Sequence, residues 1–104
     1  MSYKNRILVI DDDREVCEVV AEMLAQNSSY NVTAESDPAK ALELVKSRQF
    51  DLVLTDLMLR SISGMEVMEA VLEHNADAIV ILMTGYPTVE NAIEALKQGA
   101  YDFL

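Results

Sequence analysis

Hydrophobic positions along this chain follow two alternating periods. Unbroken apolar runs such as Ile7-Leu8-Val9-Ile10 and Leu52-Val53-Leu54 fit short strands buried on both faces. Between such runs, apolar residues recur every three or four positions, the period of a helix with one buried stripe. The first strand is expected over Ile7 to Ile10. A helix follows from Arg14 to about Gln26, with Val16, Val19, Val20, Met23 and Leu24 on one face and Glu15, Glu18 and Glu22 opposite. Asn27-Ser28-Ser29 closes that helix. Tyr30 to about Ser36 reads as a second, more polar strand of the kind found at a sheet edge. Asp37-Pro38 places an N-cap before a proline at the first helical position, and Ala41, Leu42 and Val45 form the buried stripe of the second helix.

The pattern then repeats. Leu52 to Thr55 is a third strand, and a loop runs from Asp56 to Ile62. Ser63-Gly64-Met65-Glu66 fits a capping box that opens a helix with Val67, Met68, Val71 and Leu72 inward. Ala78 to Met83 is the fourth and most hydrophobic strand. Thr88 is placed to cap a fourth helix, with Val89, Ala92, Ile93 and Leu96 inward and Gly99 at its end. Tyr101 to Leu104 starts something extended. Strand and helix units in this succession predict an α/β fold, a doubly wound parallel sheet with helices on both faces and right-handed crossovers.

Aspartates stand where two of these strands end: Asp11, Asp12 and Asp13 after the first, Asp56 after the third. In a doubly wound sheet, ligands bind beyond the carboxyl ends of the strands, where the strand order reverses. If these two strands are neighbours there, their carboxylates converge. Like charges so placed repel and raise one another's pKa, and a cation among them relieves both effects. Oxygen-only ligands in a small acidic pocket suit magnesium. A carboxylate beside that ion can act as nucleophile toward a phosphoryl group, and the hydroxyl of Thr84, after the fourth strand, can reach the same rim.

Composition narrows the possibilities. The chain has 104 residues, one domain's worth, and none of its apolar runs is long enough to span a bilayer. Met1 to Arg6 has no signal-peptide character, which gives a cytoplasmic expectation. Net charge is -10, from 18 acidic and 8 basic residues, which disfavours direct contact with nucleic acid. Cys17, the single cysteine, excludes an internal disulfide and a cysteine-based zinc site and reads as a packing residue. Asp13 and Asp51 read as cap or turn residues. His74, the single histidine, reads as a surface residue near a helix C-terminus. Met58 and Tyr86 flank the acidic rim, either limiting water access or only packing.

Taken in order, Ile7 to Asp12, Asp51 to Asp56, Ser63-Gly64, Ile81-Leu82-Met83-Thr84-Gly85 and Gly99 to Leu104 resemble the receiver domain of bacterial two-component response regulators. The resemblance implies a flavodoxin-like sheet of order 2-1-3-4-5. It implies Asp56 as phosphoacceptor and a magnesium site of Asp12, Asp56, the backbone carbonyl of Met58 and, less directly, Asp11. Thr84 takes the switch-hydroxyl position and Phe103 that of the aromatic switch. The implied donor is a sensor histidine kinase or phosphotransfer protein. The implied recipient is an output domain C-terminal in the parent chain. The Met-Thr-Gly run and the Gly99 to Leu104 segment are similar to receivers fused to transcriptional activators.

Two departures stand out. Leu59-Arg60 occupies the place of the family's Met-Pro, and the family's lysine would fall two positions beyond Leu104. Residues 1–104 are therefore expected to form a receiver domain that stops at the start of strand five, without a fifth helix. The open edge predicts a homodimer or larger assembly. Two rival readings remain at this point. Asp11 to Glu15 resembles the first motif of haloacid-dehalogenase-type phosphatases, though Glu15 breaks that pattern. A non-phosphorylated pseudo-receiver acting as a binding module is the other.

Overall fold

A computed structural model of the chain describes residues 5–83, Lys97, Gly99 and the pair 102–103. Strands β1 (Asn5–Ile10), β2 (Tyr30–Glu35), β3 (Leu52–Asp56), β4 (Ile79–Met83) and β5 (Asp102–Phe103) form one parallel sheet of order β2-β1-β3-β4-β5. Helices α1 (Arg14–Ala25), α2 (Pro38–Ser47) and α3 (Gly64–His74) connect the first four strands. This is the doubly wound parallel sheet expected from the alternating periods, in the flavodoxin-like order 2-1-3-4-5 that the resemblance implies. The polar second strand lies at the edge, as its composition suggested, and the very apolar fourth lies inside the sheet. The expected helix from Thr88 falls almost wholly outside the described residues. Gly99, where that helix was expected to end, takes a φ of +114°, a conformation glycine adopts without steric cost.

Successive residues of each inner strand go to opposite sides of the sheet, and this alternation divides the core in two. Leu8, Ile10, Val53, Val80 and Leu82 pack with Ala41 and Val45 of α2 and Val67, Met68 and Val71 of α3. Ile7, Val9, Leu54 and the partly buried Ile81 and Met83 face the other way, with Cys17, Val20, Ala21 and Leu24 of α1. Because β1 is buried on both faces, its apolar run has no polar interruption. Each fully buried aliphatic side chain there contributes about 1.5–3 kcal/mol.

Helix α1 differs from the expected face. Val20 and Leu24 do pack inward, but Val16, Val19 and Met23 are 42%, 55% and 65% exposed. The stripe against the sheet is Cys17, Val20, Ala21 and Leu24, spaced i, i+3, i+4 and i+7. The small Cys17 and Ala21 lie on the face that meets the sheet, and Val16, Val19 and Met23 point away from it. Helix starts follow the expected caps. Asp13 accepts from the N–H groups of Glu15 and Val16, Asp37 from that of Ala39, and the Ser63 hydroxyl from those of Met65 and Glu66.

Gly64 begins α3 directly against the end of β3. Its N–H donates to the Leu57 carbonyl at 2.9 Å, and a Cβ built on it would overlap the Asp56 carbonyl and stand 2.9 Å from Leu57 Cα. Both obstacles are backbone, so no side-chain rotation relieves them. Gly64→Ala is expected to lower stability by about 1–3 kcal/mol, the usual effect of overpacking. Urea denaturation measures it, and an unchanged midpoint would mean that the β3–α3 junction yields freely.

Candidate acidic site at the carboxyl edge

Parallel pairing of β1 with β3 aligns Ile10 with Thr55, so Asp11, just past the end of β1, and Asp56, the last residue of β3, stand side by side at the carboxyl edge. Here the strand order reverses, since the chain passes from β1 outward to β2 and returns beyond β1 to β3. Asp11, Asp12 and Asp56 each present a carboxylate oxygen, and these oxygens all lie within 4.8 Å of one another. The convergence expected from the two strand ends is present.

Local hydrogen bonds orient each group. Asp11 Oδ1 accepts from the Asp13 N–H at 2.9 Å, which folds the β1–α1 turn around it. Asp56 Oδ1 accepts from the Met58 N–H at 3.0 Å. The loop carrying Met58 is closed by its antiparallel bridge to Ser63 and by the Gly64–Leu57 bond. Met58 itself is 67% exposed, so its side chain does not seal the site as a core residue would. Beneath the carboxylates, Thr55 is fully buried, and its hydroxyl donates to the Asp56 carbonyl.

Asp11 is only 8% exposed. Burial pushes its carboxyl above the ordinary range, and the negative charges of Asp56, Asp12 and Asp13 push the same way, against the opposing hydrogen bond from Asp13. Asp12 is half-buried and lies 3.8 Å, Oδ2 to Nε, from Arg60. A buried acid with two carboxylates at hand is a poor place for another anion and a good one for a hard cation. The donor set fits such an ion, because every side-chain ligand is an oxygen and their spacing permits a shared centre.

The other singled-out residues separate clearly. Asp13 is the N-cap of α1. Asp51 accepts from the Arg6 N–H at 2.8 Å and ties the other end of β1 to β3. Cys17 is buried, its thiol donates to the Val9 carbonyl at 3.3 Å, and burial pushes its pKa up, as suits a packing residue. His74 is exposed in the last turn of α3. Thr84 and Tyr86 lie outside the described residues. The backbone of Phe103 pairs with Leu82 in the β4–β5 ladder, and its side chain is outside them. Sequence reasoning did not assign two contacts. The tight packing behind Gly64 had a hint in the Ser-Gly pair. Arg60 stands out in the sequence only as a departure from the family pattern, and nothing there signals that it reaches Asp12.

Comparison with known proteins accords with this geometry. A sequence profile of the response regulator receiver domain matches residues 7–104. The chain is 40% identical over 98 residues to the transcriptional regulatory protein ZraR of Escherichia coli O157:H7, covering 94% of this chain and 22% of that protein. It is 36% identical over 98 residues to the phosphoglycerate transport system transcriptional regulatory protein PgtA of Salmonella typhimurium, covering 94% of this chain and 23% of that protein. It thus spans less than a quarter of these curated relatives. Among solved structures, a response regulator from Burkholderia pseudomallei, containing a phosphorylated aspartic acid and a calcium ion, superposes with a TM-score of 0.88 at 29% identity over 97% of this chain and 59% of that one. The receiver domain of the response regulator NarL from Mycobacterium tuberculosis gives 0.86 at 34% identity, over 98% and 83%. With its sheet order and the profile match over nearly its whole length, the chain belongs to the response regulator receiver domains.

Proposed function

We propose that this domain accepts a phosphoryl group on Asp56 from a phosphohistidine of a sensor histidine kinase or phosphotransfer protein. The observation that carries the reading is the meeting of three carboxylates at the mouth of the sheet, whose mutual repulsion a bound cation relieves. Asp12, Asp56, the Met58 carbonyl and, less directly, Asp11 would hold magnesium. When bound, that ion would neutralise charge on the transferring phosphoryl oxygens. The Met58 N–H anchors one oxygen of the Asp56 carboxylate and so restrains the group's rotation. The other oxygen attacks phosphorus, a P–O bond forms as the P–N bond breaks, and the departing imidazole takes up a proton. Hydrolysis of the acyl phosphate later returns Asp56.

Downstream, Thr84 and Phe103 are assigned the switch-hydroxyl and aromatic-switch roles. The recipient is an output domain following in the parent chain. The curated relatives are transcriptional regulatory proteins several times this length, which supports an output in transcription. With a net charge of -10, DNA contact falls to that other domain.

Incubation with magnesium and acetyl phosphate should add one phosphoryl mass to the wild type and none to Asp56→Asn. Full labelling of the variant would remove Asp56 as acceptor. Asp12→Ala leaves the pocket short of one hard ligand, and calorimetric titration with magnesium should show affinity at least about tenfold weaker, as for loss of a metal-site residue. Unchanged binding would place the metal elsewhere.

Acidity supplies a further check. Between the ordinary carboxylate pKa of about 3.9 and the raised value of Asp11, the metal-free folded state binds more protons than the unfolded chain. Asp11 therefore opposes folding increasingly as pH rises through that window. Asp11→Asn keeps an acceptor for the Asp13 N–H and removes the charge. In chelator, its stability relative to wild type should rise from pH 4 to pH 7, and magnesium should narrow the difference at pH 7. A difference independent of pH, read by urea denaturation, would show that ionised Asp11 is tolerated without cost.

A further inference from the structure

We propose that Arg60 is a built-in counter-cation of the acidic site, competing with the divalent metal ion for Asp12. This rests on the reading of Asp12 as a metal ligand. Arg60 lies between Met58 and Ser63, the two residues that bridge to close the β3–α3 loop, and Gly64 locks the base of that loop to Leu57. Its backbone is therefore held over the carboxyl edge. From there Nε stands 3.8 Å from Asp12 Oδ2, and the side chains are 74% and 23% exposed respectively. The guanidinium thus stands beside Asp12 on the exposed side of the pair.

Three carboxylate oxygens within 4.8 Å of one another need positive charge nearby, and among the described residues Arg60 is the cation paired with one of them. Arginine keeps its charge at any relevant pH, so proton loss does not switch this contact off. A divalent ion on the same carboxylate meets that charge at close range. Metal binding then requires the guanidinium to withdraw, which its exposure permits. The proline that the family pattern places here could neither shield the carboxylates nor repel the metal. Arg60 thus weakens metal binding and, in the metal-free state, offsets the repulsion among Asp11, Asp12 and Asp56.

The test is calorimetric titration of the intact domain with magnesium chloride, together with thermal melts in chelator and in saturating magnesium. At low ionic strength Arg60→Gln should bind magnesium about two- to fivefold more tightly, the equivalent of an exposed ion pair. That gain should shrink toward about 1 M salt, where the screening length is only a few ångströms. Its melting temperature should fall in chelator and match wild type in magnesium. Lys46→Gln removes the same charge from the distant last turn of α2 and should leave magnesium affinity at the wild-type value. Wild-type affinity in Arg60→Gln, weaker binding in it, or an equal gain in Lys46→Gln would each overturn the competition while leaving Asp12 as ligand. Absence of magnesium binding by the wild type would overturn the site reading and this inference together.

Discussion

The register between β1 and β3 is the constraint from which the site follows. Side chains on neighbouring strands change face with every residue, so a slip of one position would exchange the two halves of the core and separate Asp11 from Asp56. Both strands are apolar on both faces, and their hydrophobicity alone resists such a slip only weakly. The alignment is set at the opposite end, by Asp51. Its carboxylate accepts from the Arg6 N–H, its own N–H donates to the Arg6 carbonyl, and its carbonyl accepts from Ile79. One residue before β3 thereby fixes three strands against each other, and the strands carry that alignment to the acidic edge. A polar turn residue at the bottom of the sheet places the chemistry at the top.

At the top, folding and chemistry pull against each other. Buried Leu8, Ile10, Val53 and Leu82 exclude water from the sheet below, and this exclusion is what makes an ionised Asp11 unfavourable. Local rules are commonly broken at functional sites, with the surroundings holding the strained group in place. Here the surroundings are identifiable. The Asp13 N–H steadies Asp11, the Met58 N–H steadies Asp56, and Arg60 supplies charge to Asp12. Gly64 joins the two demands, since the same close approach that seats α3 on the sheet fixes the loop carrying Met58 and Arg60.

How much of this was legible in the sequence depended on how local each cause was. The inner strands were readable because burial on both faces leaves an uninterrupted apolar run, and β2 because an edge strand keeps polar residues such as Asn31 and Thr33. The caps at Asp13, Asp37 and Ser63 were readable because they act within three residues. The buried face of α1 was read only in part. Three apolar side chains, Val16, Val19 and Met23, outweighed the small Cys17 and Ala21 in the pattern, yet close packing favours the small ones. At the site, Asp11, Asp12 and Asp56 followed from two strand ends and the rule for sheet edges. Arg60 did not, because its contact with Asp12 joins residues 48 positions apart through a loop whose path no periodicity specifies. Thr84 and the Phe103 side chain, outside the described residues, keep the roles that the family resemblance implies.

The replacement of a proline position by Arg60 bears on what the site is in its metal-free state. A proline would stiffen the loop and remove the cation that, among the described residues, pairs with one of the three carboxylates. Arginine leaves the backbone freer, but the bridge from Met58 to Ser63 and the backbone contact at Gly64 already confine it. Stiffness is therefore supplied from elsewhere, and the position is released for charge. If Asp12 is a metal ligand, as proposed, the acidic site does not depend wholly on metal for its neutralisation. Its metal-free and metal-bound forms would then lie closer in energy than those of a bare cluster of the same geometry. Metal binding would then be favoured by whatever draws the guanidinium away, an incoming phosphoryl group with its own negative charge included. On the proposed function, the anionic substrate and the cation would assist each other, because the phosphoryl oxygens could take the arginine that the metal displaces.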